Sequence, residues 1–362
     1  MTAAANTIVQ KEFREIREQI IDAHERNTQL NIIGGNTKEF LAPSPPAEVH
    51  SASHPKELRL LSNSGIVSYQ PSELVITVRA GTKLSEVIDT LAEKGQMLGF
   101  EPPSFGATAT IGGTVASALN GPARPYLGSL RDAVLGIKIM TGTGDIARFG
   151  GEVMKNVAGY DVSRLLVGSM GSLAVLLEIS LRVQPMPKAL QCFSFSCDEQ
   201  TARAEMSRLR GISLPITGLA YAQEQLCLRL SGAEVAIQHA ISSLPAFESS
   251  ERKFWIDLNE QRLEFFASST PLWRVTVPFD VSGNLPGEHI WDWGGGLCWV
   301  KTIEPAAHMH ALVQDMGGAA TLFRGAGAGD FSPKDDPIAA LRDKLKKVFD
   351  PHYIFVSRAA WR

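Results

Sequence analysis

The chain has 362 residues, 44% of them apolar and 20% charged, enough to bury a sizeable core and divide into two domains. With 35 basic against 38 acidic residues and a net charge of -3, its electrostatics give no reason to expect nucleic acid or a polybasic membrane anchor. The opening residues lack the basic start and apolar core of a signal peptide, and no stretch approaches the roughly 20 apolar residues of a membrane helix, so a cytoplasmic chain is expected.

Taken in order, Val9, Phe13, Ile16 and Ile20 fall three and four apart, which predicts an amphipathic helix over 8–26. A short apolar strand at 31–33 runs into the turn Gly34-Gly35-Asn36-Thr37, followed by a Pro-rich loop at 41–46. β-Branched runs at 66–69 and 74–78 read as paired strands before a helix at 83–94. Regular patterning then stops: 101–121 is rich in Pro, Gly, Ala and Thr, and a loop so long inside a compact domain is usually functional or disordered, its apolar content arguing against disorder.

Strands at 133–140 and 146–149 flank Thr141-Gly142-Thr143-Gly144, and 173–183 is a further long strand. Pro185 and Pro187 make a stiff connector, which sets the domain boundary: 1–187, then 188–362, with the last helix and tail free to return to the first domain. The second half alternates strands near 218–222, 226–230, 273–277 and 297–301 with helices near 199–209, 233–242 and 305–316. This pattern predicts a smaller antiparallel sheet covered by helices on one face, in an α+β protein. A last helix over 338–349 stops at Asp350-Pro351.

Chemistry is carried by glycine-rich segments. A dinucleotide's phosphates can be hydrogen-bonded by successive backbone N–H groups without any lysine. Gly34-Gly35-Asn36-Thr37 after a strand could supply them, or be an ordinary turn. The run from Pro102 through Gly106, Thr110, Gly112 and Gly113 to Ser117 is a loop of small residues entering a helix. Small side chains let backbone approach a flat ring closely, and a helix start favours an anion. The third segment, Lys155-Asn156-Val157-Ala158-Gly159-Tyr160-Asp161 through Gly168-Ser169-Met170-Gly171-Ser172, leads into the strand at 173–183.

In this order and spacing the three segments resemble the FAD-binding domain of the vanillyl-alcohol-oxidase and p-cresol-methylhydroxylase (PCMH) type over roughly residues 25 to 187. The resemblance implies two α+β subdomains with FAD between them, followed by a smaller cap domain. It assigns Gly34, Gly35, Asn36 and Thr37 to the pyrophosphate, and Pro103, Gly106, Thr110, Gly112, Gly113 and Ser117 to the pyrophosphate and flavin. Gly121 would lie close by, Gly159, Tyr160 and Asp161 would support the cofactor, and backbone near Val175 would face the adenine. The first glycine turn holds no histidine or cysteine, which implies non-covalent FAD, with His50 and His54 the nearest alternatives.

Within that group the third segment and the short second half resemble the smaller flavin subunits of bacterial glycolate oxidase complexes. These pair with a larger FAD-binding subunit and an iron–sulfur subunit, oxidise glycolate to glyoxylate, and pass electrons to an acceptor other than a nicotinamide. Such partners could hold the complex at the inner membrane. Related hydroxy-acid dehydrogenases bracket a glycine-rich cap strand with histidines, which the matching stretch Trp291-Asp292-Trp293-Gly294-Gly295-Gly296-Leu297-Cys298-Trp299 lacks. Tryptophan and cysteine cannot replace them as acid–base groups or divalent-metal ligands, so no metal site is expected and no catalytic base is named.

The scattered Cys192, Cys197, Cys227 and Cys298 form no C-x-x-C pair and read as buried free thiols. Any iron–sulfur cluster then belongs to another chain. His308 and His310, two apart beside a helix, turn to different faces. Arg324 is a candidate carboxylate clamp or a surface residue, and Trp291, Trp293 and Trp299 alternate as on one face of a hairpin, with core packing expected. Two alternatives to the glycolate oxidase subunit stay open, a self-sufficient FAD-dependent 2-hydroxy-acid dehydrogenase and a structural subunit that binds little FAD. A nicotinamide Rossmann enzyme fits poorly, because no G-x-G-x-x-G follows a strand with an acidic residue some 20 positions on.

Overall fold

The computed structural model describes residues 3–41, 55–151, 161–244, 246–281, 283–325 and 339–356. The first helix, Ala3–Glu25, turns Ile16, Ile20 and Ala23 onto a core shared with Leu30, Leu58 and Val175, as its three-and-four spacing requires. A five-stranded antiparallel sheet follows, in the order Ile66–Gln70, Val75–Arg79, Val175–Arg182, Val134–Met140, Ile146–Gly150. Its central strand, Val175–Arg182, is buried on both faces apart from Glu178 and Arg182, which explains a near-continuous apolar run where a half-exposed strand would alternate. The turn predicted at Thr141 to Gly144 closes the hairpin with the Thr141 N–H donating to the Asp145 carbonyl at 2.9 Å.

The second half carries the larger sheet, eight strands against five, where the sequence pattern suggested a smaller one. The extra strands are Ala189–Ser196, Glu248–Ser249, Glu288–Asp292 and Ala319–Arg324, all antiparallel. Three of them lie at or beside an edge of the sheet, where fewer buried positions leave a weaker apolar signature.

Helices Glu199–Arg210, Glu234–Ile241 and Ala306–Asp315 cover one face through Met206, Leu209, Ile237 and Met309, meeting Leu219, Tyr221, Leu228 and Trp273. The alternate residues, Ala220, Ala222 and Cys227, face the other way onto Trp255, Leu258, Leu41 and Met170 and so join the cap to the first half. Cys192, Cys227 and Cys298 are buried, Cys197 half-buried, and none of the four is in a disulfide.

The tryptophans divide between those two faces instead of sharing one. Trp291 pairs with Cys298 and lies under the helices, while Trp299 pairs with Ile290 and points to the first half with Trp293. The reason is that Trp299 sits one register step from the partner of Trp291, and one step reverses the face.

The last helix, Ala339–Phe349, packs Phe349 against the core of the five-stranded sheet. Beyond it Phe355 bridges Leu30 in parallel, with the Leu30 N–H donating to the Ile354 carbonyl at 2.6 Å and the Val356 N–H to the Leu30 carbonyl at 2.9 Å. This crossing is held by a buried ion pair. The Asp350 carboxylate accepts from Lys346 Nζ at 2.5 Å and from the N–H groups of Ile354 and Phe355 at 3.0 and 2.9 Å. Lys346 Nζ also donates to the carbonyls of Ser172 at 2.6 Å and Phe355 at 2.9 Å. Asp350→Ala leaves that ammonium buried without its counter-ion and is expected to cost about 3–5 kcal/mol. Urea unfolding should register it as a lower midpoint at unchanged slope.

Candidate functional site

A cleft of about 750 Å³ opens at the end of the strand Leu30–Ile33, between it, the helix Ile111–Ser117 and the turn before the strand Val175–Arg182. Its apolar wall is Ile32, Leu60, Ala174, Leu176 and Met170, and its polar end is the turn Gly34-Gly35-Asn36-Thr37 with Lys38 and Glu39. Asn36 takes a left-handed φ of 56°, which asparagine tolerates, and its side-chain amide donates to Glu39 at 2.7 Å.

Backbone approach is the reason for the glycines here. A Cβ on Gly35 would lie 1.6 Å from the Thr108 carbonyl oxygen, and one on Gly34 would lie 2.5 Å from Thr110 Oγ1. The turn therefore lies directly on the long loop, stitched by the Thr108 hydroxyl donating to the Gly35 carbonyl at 2.7 Å. Among the described residues no hydrogen bond uses the N–H groups of Gly34, Gly35, Asn36 or Thr37. Four consecutive donors at one end of a cleft suit a pyrophosphate.

The helix start at Ile111 behaves differently. Its first donors are already taken: Ile111 N–H by the Thr82 carbonyl at 2.9 Å, Gly112 N–H by the Ala80 carbonyl at 2.7 Å, and Gly113 N–H by the Thr110 side chain at 3.2 Å. Gly112 and Gly113 both line the cleft, but the smallness of Gly112 serves packing, since a Cβ there would meet the Ala80 carbonyl at 2.7 Å, whereas one on Gly113 would meet only Thr110 Oγ1, at 3.3 Å.

Of the residues the resemblance assigned to the cofactor, Gly34, Gly35, Asn36, Thr37, Thr110, Gly112, Gly113 and Ser117 line this one cleft. Gly106 lies at its rim, its α-carbon facing the Thr37 methyl, while Pro103 and Gly121 line a second, smaller pocket beneath the cap. Asp161 caps the helix Val162–Leu166 by accepting from the Arg164 N–H at 3.3 Å and pairs with its guanidinium at 3.0 Å. The Val175 side chain is fully buried in the core behind the cleft, and it is its neighbours Ala174 and Leu176 that face in. Gly159, Tyr160, His50 and His54 lie outside the described residues.

The Arg324 guanidinium lies 4.8 Å from the Phe40 ring centre and 5.8 Å from that of Phe105. His308 pairs with Glu304 at 2.7 Å on the surface, and the ring of His310 stands edge-on to Trp273. No group of three or more possible metal ligands gathers among the described residues.

Two charged residues were missed in the sequence. Lys38 is 8% exposed and lines the cleft, its Nζ donating to the Ser104 carbonyl at 3.2 Å. Burial brings its ammonium down to about 8, with the Glu260 carboxylate acting in the opposite sense. Glu260, which follows the cap helix Lys253–Asn259, accepts from the N–H of Ser104, its hydroxyl and the N–H of Phe105 at 2.8 to 2.9 Å. A lysine directly after a glycine turn is a usable signal for an anion site. Nothing local marks Glu260, whose partners are over 150 positions away.

Residues 11–150 match the FAD binding domain family. Glycolate oxidase subunit GlcE of Escherichia coli K12 is 43% identical over 339 residues, 93% of this chain and 94% of that protein. Glycolate oxidase subunit GlcD of Bacillus subtilis 168 is 34% identical over 123 residues, 34% of this chain and 26% of its own length. Among solved structures, p-cresol methylhydroxylase with substrate bound superposes with a TM-score of 0.68 at 14% identity, covering 96% of this chain and 87% of that one, a likeness of fold alone.

Gly35→Ala is expected to overpack the turn by about 1–3 kcal/mol and weaken FAD retention by roughly 10- to 100-fold, read as the flavin-to-protein absorbance ratio after dialysis. Because Lys38 carries its charge below about 8, FAD affinity should fall as pH rises through that value. Glu260→Gln removes the group that favours the ammonium and should move the inflection to lower pH, and Lys38→Met should flatten it. Titrations of apoprotein with FAD from pH 6 to about 9.5 measure all three.

Proposed function

Because the chain belongs to the GlcE family of glycolate oxidase subunits, which carries an FAD binding domain, we propose that it is the FAD-binding subunit of a complex that oxidises glycolate to glyoxylate. The match to GlcE along nearly the whole chain, cap included, carries this reading. The unpartnered donors of Gly34 to Thr37 support it by offering the cofactor's phosphates a seat. FAD, when bound, supplies a two-electron acceptor for the hydride leaving an alcohol carbon. The chain's own residues hold the phosphates through the turn, balance their charge through Lys38, and keep the long loop against the cleft through Glu260.

Electrons leave for an acceptor other than a nicotinamide. The partners are a larger FAD-binding subunit and an iron–sulfur subunit, the cluster lying on that other chain because this sequence has no C-x-x-C pair to hold one. FAD is bound without a covalent link, there being no histidine or cysteine in the turn at Gly34 to Lys38. The complex is cytoplasmic, with its partners able to hold it at the inner membrane. Among the described residues no helix is long and apolar enough to cross a membrane.

The full chain should purify yellow, and anaerobic glycolate should bleach the flavin of the assembled complex. Isolated chain that is colourless and takes up no added FAD would overturn the reading in favour of a structural subunit. Rapid bleaching of the isolated chain by glycolate would instead identify a self-sufficient dehydrogenase.

A further inference from the structure

A second pocket, of about 340 Å³, lies where the cap meets the end of the long loop. Leu119, Gly121 and Pro103 form its floor, and Gln261, Arg274 and Asp292 project from the cap. It is too small for a dinucleotide, and its chemistry differs from that of the first cleft.

Arg274 lies on the strand Leu272–Thr276. Its neighbours Trp273 and Val275 face the cap helices, so period two turns the arginine toward the first half. It keeps intermediate exposure and lines the pocket. Among the described residues its guanidinium has no hydrogen bond and no ion pair. It stacks over the Trp293 ring at 5.1 Å, with Arg124 over the same ring at 4.4 Å. Burial brings Arg274 down to about 10, so it stays charged at neutral pH.

Two acceptors share the pocket. Asp292, 3% exposed, accepts the Trp293 N–H at 2.6 Å through one oxygen. Gln261 is 8% exposed, and its side-chain oxygen is buried without a partner. Its backbone holds a left-handed φ of 52°, uncommon outside glycine. The half-exposed guanidinium has unused donors facing the pocket, and the buried amide oxygen with no donor is costly alone. Asp132 acts on Arg124 and Glu101 pairs with Arg229, which leaves Asp292 as the carboxyl facing Arg274; burial raises that carboxyl to about 7, so near neutral pH it offsets the guanidinium only in part, and a guanidinium takes a carboxylate through two parallel hydrogen bonds.

We infer that this pocket binds a small hydroxy monocarboxylate, its carboxylate on the Arg274 guanidinium and its hydroxyl donating to the Gln261 side-chain oxygen. The choice of a hydroxy acid rests on the proposed oxidation of glycolate; the anion site rests on the pocket alone. Arg274 and Gln261 set specificity, the one for the acid group and the other for the hydroxyl.

The test is equilibrium dialysis of radiolabelled glycolate, and separately acetate, against the FAD-loaded full chain, with tryptophan fluorescence reporting events at Trp293. The loaded FAD keeps the first cleft from taking the anion. Arg274→Gln should weaken glycolate by roughly 30-fold or more, and Arg274→Lys by less. Gln261→Met should weaken glycolate about fivefold and leave acetate unchanged. FAD content equal to the parent's shows that each variant has folded.

Glycolate binding that is indifferent to both Arg274 variants would overturn the inference, as would the absence of any binding to the parent. If the assembled complex oxidises glycolate with unchanged KM when carrying Arg274→Gln, the pocket assignment falls while the proposed function stands. If Arg274-dependent binding is found but the complex never oxidises glycolate, the pocket stands and the oxidation falls.

Discussion

The buried pair Lys346–Asp350 is the contact on which the cleft proposed for the cofactor depends. Its carboxylate fixes the two amides that turn the chain tail inward, and that tail hydrogen-bonds Leu30, at the start of the strand that ends in the Gly34 turn. Its ammonium reaches the Ser172 carbonyl, next to Gly171 on the cleft's opposite side. Two walls of one cleft are thus referenced to a single ion pair. A buried pair gains electrostatic strength from the low local dielectric, and breaking it leaves a buried charge without its counter-ion.

The long loop is positioned by a second set of contacts, all from the cap. Arg229 pairs with Glu101 at 2.8 Å, Glu260 holds Ser104 and Phe105, and the Trp293 indole donates to the Gly121 carbonyl at 3.0 Å. Segments without internal regularity stay ordered only when their polar groups find partners, and here the partners are side chains of the other half. The loop therefore faces two ways, toward the glycine turn on one side and the Arg274 pocket on the other.

Much of this was legible in the sequence because it is local. Three-and-four spacing located the helix Ala3–Glu25, β-branched runs located the strands Ile66–Gln70 and Val75–Arg79, and the glycine turn followed its strand as expected. What stayed hidden is what joins distant positions. Arg274 is one polar residue in an apolar strand, and Asp292 one carboxylate between two tryptophans, patterns equally compatible with an exposed hairpin face. That the N–H groups of Ile111 and Gly112 are taken while Gly34 to Thr37 keep free donors depends on which carbonyls stand opposite them, and no spacing rule encodes that.

The parallel bridge between Leu30 and Phe355 has a consequence for biosynthesis. A ribosome releases the strand that ends in the Gly34 turn well before the segment that braces it. Until that segment emerges, the strand has its partner Lys56–Arg59 on one side only, so a nascent chain stalled before the helix Ala339–Phe349 would hold an incomplete cleft. Completion of the cleft is therefore tied to a late step of synthesis, and a truncation ahead of Ala339 would leave the Gly34 turn on an unbraced strand.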